Sequence, residues 1–163
     1  MSNVEVTENG DKNLELEHMV REFFANTVKI LGLPKSVGEI YGSLFISKVP
    51  LSLDDLVSSI GMSKGSGSQG LKMLRTLGAV SEVKGAEGRK VFYEADLELK
   101  SLVGGFIREE VRPNLSSSKA KLDKMAECNV NKDEHYEERI AKLKSWRKRS
   151  AILLPILQRI LGK

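Results

Sequence analysis

Residues 51–78 read LSLDDLVSSIGMSKGSGSQGLKMLRTLG, and the fold turns on where helix starts and stops within them. Ser52-Leu53-Asp54-Asp55 has the form of a capping box, with Asp55 in place of the usual Glu or Gln. It opens a short helix that turns Leu53, Leu56, Val57 and Ile60 inward. Gly61 supplies a turn, Met62 points back toward the core, and Ser63 is placed to cap a second helix. That helix runs to Leu77 on a seam of Leu71, Leu74 and Leu77, and Gly78 stops it. Two helices joined by so short a glycine-containing turn make a helix-turn-helix.

Upstream, apolar residues recur at helical spacing from Leu14 through Leu16, Met19, Val20, Phe23, Phe24, Val28 and Leu31. Gly32 and Pro34 end that helix, and a second carries Val37, Ile40, Tyr41, Leu44 and Phe45 before Pro50. Gly38 and Gly42, four apart, allow a neighbouring helix to approach closely. Residues 1–13 lack periodicity and read as a flexible acidic tail. Downstream, Ala79–Val83 and Lys90–Ala95 read as strands joined by a Gly85-Ala86-Glu87-Gly88 turn. Helix, helix, turn, helix, hairpin is the winged helix-turn-helix order.

The remainder is helical. A stripe from Leu97 to about Glu127 would extend about 45 Å if unbroken, with Pro113 expected to kink or break it. A last helical region covers Glu134–Leu161. The expected fold is mainly α with a small β-hairpin wing, a winged helix-turn-helix plus long dimerisation helices. Its parts are the tail at 1–13, an N-terminal dimer-interface helix at 14–33, a DNA-binding domain at 34–95 and a helical dimerisation region at 96–163. Apolar stripes beyond what so small a domain can cover suggest a partner helix, and a second copy is the cheapest partner.

Composition narrows the class. With 163 residues, 40% hydrophobic, 29% charged and net charge +4, the chain suits a globular protein with an anionic partner. Beyond Glu138 only basic charges occur. Cys128 is the only cysteine, which rules out an intrachain disulfide and fits a reducing, cytoplasmic setting. His18 and His135 stand in no metal-ligand spacing, and no signal peptide or transmembrane span is expected. Gly65-Ser66-Gly67-Ser68-Gln69-Gly70 matches the dinucleotide pattern GxGxxG letter for letter. That fingerprint requires a preceding buried strand and a following acidic residue. Here the preceding segment has helical period, and Arg89-Lys90-Val91 stands where the acid should be. With no other catalytic pattern, no enzyme, cofactor or metal is expected.

A recognition helix offers its N-terminal residues to major-groove base edges while hydroxyls and amides hold phosphates. Lys64, Gln69 and Lys72 suit bases, and Ser63, Ser66 and Ser68 suit phosphates. Arg89 and Lys90 follow the hairpin turn and suit the flanking minor groove or backbone. The expected partner is double-stranded DNA, with no membrane. Two rival readings are a helical protein-interaction module with a degenerate helix-turn-helix, and a membrane-surface helix at Arg139–Lys163.

The chain resembles the MarR superfamily of winged-helix regulators, in particular its GbsR-like branch. The resemblance rests on Gly32-Leu33-Pro34-Lys35-Ser36 with Ile40-Tyr41-Gly42, Leu51 to Leu56, Gly61-Met62-Ser63-Lys64-Gly65 and Leu71 to Gly78. It continues through Arg89-Lys90-Val91-Phe92-Tyr93 and Arg108-Glu109-Glu110-Val111-Arg112-Pro113. It implies a homodimeric transcriptional repressor on a pseudo-palindromic operator, modulated by a small molecule such as choline or glycine betaine. Aromatic faces that could enclose such a cation are Phe23, Phe24, Tyr41, Phe45, Phe92 and Tyr93, against a plain role in the core. One departure is Gly67, where the family has a β-branched residue. Gly65, Gly67 and Gly70 would each cost the helix about 1 kcal/mol relative to Ala, which predicts fraying that DNA would reverse.

Overall fold

The computed structural model describes the backbone at residues 2–84 and 90–161, and side chains at 11–84 and 90–160. The chain divides into two compact units, Met1–Leu99 and Lys100–Lys163.

The first unit begins with α1 (Ser2–Ile30) and α2 (Lys35–Ile46). The tail expected at 1–13 is corrected: helix starts at Ser2. A helix once nucleated needs no apolar face to extend, so the lack of period at 1–13 does not stop it. Gly38 and Gly42 are the close approach that their spacing predicts. A Cβ on Gly42 would lie 2.8 Å from Arg21 Cα, and one on Gly38 would strike the backbone of Phe24 and Ala25. With the two backbones this near, Phe24 packs edge-on to Tyr41 (ring centroids 4.8 Å apart). Tyr41 is fully buried and donates its hydroxyl proton to Asp96 O at 2.7 Å. Burial, reinforced by the Asp96 charge, pushes its phenol up to about 12.

Next come β1 (Leu51–Ser52), α3 (Leu53–Ile60) and α4 (Lys64–Leu77), then β2 (Val80–Lys84) and β3 (Val91–Ala95). The three strands form one antiparallel sheet in the order β1-β3-β2, with Leu51 opposite Tyr93 and Glu82 also opposite Tyr93. β1 was not expected; two residues that also form a helix cap leave no alternating pattern. The expected Gly85–Gly88 turn and Arg89 lie outside the described residues. Val28, Ile40, Leu56, Leu74 and Leu77 are buried, a core shared by α1–α4, each large side chain contributing about 1.5–3 kcal/mol.

The second unit holds α5 (Leu99–Phe106), a π-helical turn (Ile107–Val111), α6 (Arg112–Cys128) and α7 (Glu134–Leu161). Pro113, expected to kink or break the helix, does not break it: the chain widens into the π-helical turn and continues, with Arg112 N donating to Ile107 O. Proline has no N–H to give Glu109 O, and the Asn114 side-chain amide donates to Glu110 O at 2.8 Å. Asn129 and Asp133 exchange two hydrogen bonds across the turn into α7, each 3.1 Å.

Candidate nucleic-acid interface

The turn that presents α4 is fixed by its caps. Ser52 Oγ accepts from Asp55 N, and the Asp55 carboxylate accepts from Ser52 N at 2.9 Å and from Ser52 Oγ. These bonds, the hydroxyl first, hold the Asp55 carboxyl below the usual carboxylate range, with Lys90 adding a favourable charge. Gly61 takes φ +75 and closes α3, its N–H donating to Val57 O. Ser63 Oγ accepts from Ser66 N at 3.2 Å and donates to Ser66 Oγ at 3.0 Å. Gly78, at φ +74, ends α4.

Within α4, Gly67, Gly70, Leu71, Leu74 and Leu77 are buried. Ser63, Lys64, Ser66, Ser68, Gln69 and Lys72 are all exposed, as is Lys90 on the sheet side. The expected DNA-contacting side chains other than Arg89 are thus accessible, and six of them line the first two and a half turns of one capped helix. Their freedom differs. Lys64 Nζ is paired with Asp54 at 2.7 Å, a contact that sequence reading missed although both flank the same turn. Arg75 is tied to Glu82 of β2 at 2.7 Å, and Lys90 lies over the Phe92 ring, 5.5 Å from its centroid. Ser63 Oγ is engaged in the cap.

The glycines have a different role from the one their helix propensity suggests. A Cβ on Gly67 would sit 2.5 Å from Val57 Cγ1 and 2.8 Å from Leu53 Cδ1. One on Gly70 would collide with Ile40 Cδ1. Two of the three glycines therefore let α4 seat directly on α3 and α2, and α4 runs unbroken from Lys64. Only Gly65 faces open space, with Ser63 Oγ 3.9 Å away.

No family model matches the chain. The HTH-type transcriptional repressor GbsR of Bacillus subtilis is 28% identical over 123 residues, 71% of this chain and 67% of that protein. A solved structure of a transcriptional regulator superposes with a TM-score of 0.67 at 16% identity, over 89% of this chain and 95% of that one. The chain has the fold of that transcriptional regulator, with a helix-turn-helix beside a three-stranded antiparallel sheet. A MarR protein from Peptoclostridium difficile overlays with a TM-score of 0.40 at 16% identity, over 98% of this chain and 94% of that one.

Within this fold the aromatic residues divide. Phe24 and Tyr41 are buried and meet edge-on, so they are core, and the half-buried Phe45 lies 5.1 Å from Phe24 between ring centroids. Phe23 is exposed, and Phe92 and Tyr93 are half-buried on β3. A groove of about 510 Å³ runs beside α3, lined among others by Glu17, Arg21, Ser43, Lys48 and Asp55. The buried Ser43 hydroxyl has no hydrogen-bond partner among the described residues. Among those residues there is no cluster of His, Cys, Asp and Glu able to hold a metal, and no helix long and apolar enough to cross a membrane.

Proposed function

We propose that this chain is a sequence-specific DNA-binding regulator of transcription, acting as a homodimeric repressor on a pseudo-palindromic operator. The observation that carries the reading is α4: capped at Ser63, seated on a leucine seam, with Lys64, Ser66, Ser68, Gln69 and Lys72 on its exposed side. Gln69 and Lys72 are the base readers, and Ser66, Ser68 and the α4 amides hold phosphates. Lys90 and Arg89 add the backbone contact of the wing. Dimerisation is supported by exposed apolar side chains on α1 (Leu16, Met19, Phe23) and α7 (Trp146, Ile156, Ile160).

Effector control is assigned to the groove beside α3 rather than to the aromatic core. Its mixed charges and the unpartnered Ser43 hydroxyl suit a small polar ligand. Titration with choline or glycine betaine should change DNA affinity; an unchanged affinity and melting temperature removes those two ligands.

Selection of bound sequences from a random duplex pool tests the main reading. The expected product is an inverted repeat with half-site centres about 34–36 Å apart. Affinity that neither discriminates sequences nor falls with salt overturns the reading in favour of a protein-interaction module.

A further inference from the structure

The hairpin of α6 and α7 brings two arginines to one hollow. Arg112 and Ser116 of α6 and Arg147 of α7 supply its polar wall, and Leu115 and Leu154 are among its apolar lining; no carboxylate lines it. Arg112 Nη1 donates to Gln158 Oε1 at 2.9 Å, a neutral acceptor that orients the group without balancing its charge. The Arg147 Nε–H is buried and has no hydrogen-bond partner among the described residues. Asp123 of α6 is bound to Lys144 at 3.0 Å. Beyond Glu138, α7 carries no acid of its own.

A buried, unpaired donor on one of two neighbouring cations is costly unless something anionic completes it. The hollow measures about 110 Å³, room for one compact group and far below the roughly 300 Å³ of a typical small-molecule site. Guanidinium forks match oxyanions in shape as well as charge. We infer that this hollow is a binding site for a small oxyanion, a free carboxylate or phosphate, which pins α6 to α7. It is separate from the DNA-reading surface of α4 and from the groove beside α3.

The test uses the full chain with 15N-labelled arginine side chains. It is titrated with inorganic phosphate, and separately with acetate, at ionic strength held constant with sodium chloride. The expected result is a saturable shift of the Arg147 Nε–H resonance with at least one of the two, accompanied by a rise in melting temperature. Arg147→Gln and Arg112→Gln should each weaken binding about tenfold or more. Arg149→Gln, on the same helix but outside the hollow, should leave it unchanged. A shift with neither anion, a shift that never saturates, or one that Arg112→Gln leaves intact overturns the inference. If Arg147→Gln does not fold, the wild-type titration and Arg112→Gln decide the matter.

Discussion

Lys64 and Lys72 are both exposed on α4, yet different forces hold them. Lys64 is paired with Asp54 and must leave that carboxylate to reach DNA, whereas Lys72 has only to extend. Lys72→Ala should therefore lower the slope of log K against log salt by about one, with the melting temperature unchanged. Asp54→Ala should tighten binding to any duplex at low salt, by up to about fivefold for an exposed pair of ~1 kcal/mol. Filter-binding or fluorescence titration over a salt series reads both; weaker binding by Asp54→Ala would mean that the pair positions Lys64. At this scale the residue types were legible, because Lys, Gln and Ser at helical spacing are chemistry written in one dimension. Which lysine is free was not, since Asp54 and Lys64 meet only after the turn at Gly61 brings α3 and α4 together.

Element by element, α4 is where composition misleads and packing decides. Three glycines should weaken a helix, but Gly67 and Gly70 stand where a side chain would strike α3 or α2. Gly67→Ala should therefore destabilise the protein by about 1–3 kcal/mol, since the stiff Val57 cannot easily yield. Gly65→Ala, in open space, should gain up to about 1 kcal/mol. Urea denaturation checks both, and equal effects at the two sites would refute this account of the glycines. The α3 cap adds a pH dependence. Asp55 has a folded pKa below its unfolded one, so its contribution is present above the ordinary carboxylate range and lost as pH falls through the folded value. Asp55→Asn should lower the urea midpoint at pH 7 and flatten its fall toward pH 3. Both caps, the leucine seam and the glycine stops were readable from sequence because each is local. β1 was not, because its evidence is two residues paired with Phe92 and Tyr93 some forty positions away.

For the whole molecule, the proposed dimer makes a direct demand on the exposed apolar positions of α1 and α7. Phe23→Glu or Ile156→Glu should shift the sedimentation of the protein toward a monomer. Operator affinity should drop about a hundredfold as two linked contacts become one. A variant that stays dimeric with full affinity would remove its helix from the interface. The order helix, helix-turn-helix, hairpin and long helices was visible in the sequence because apolar period and stop residues agree along most of the chain. The start of α1 was hidden because charged residues carry no period, and the continuity through Pro113 because wider helical turns leave no compositional mark. That widened turn at Ile107–Val111 also sets an angular phase. Spacing of i to i+5 in place of i to i+4 takes up one extra residue, and one residue of α-helix is worth about 100° of rotation. Deleting a residue within the α-helical part of α6 would swing the seam beyond it by roughly a quarter turn, whereas deleting one within the widened turn lets the helix run straight with the phase of α6 kept. Leu115 and Leu122 would then keep their sides of α6, so the widened turn is where this helix can lose one residue at least cost to its packing.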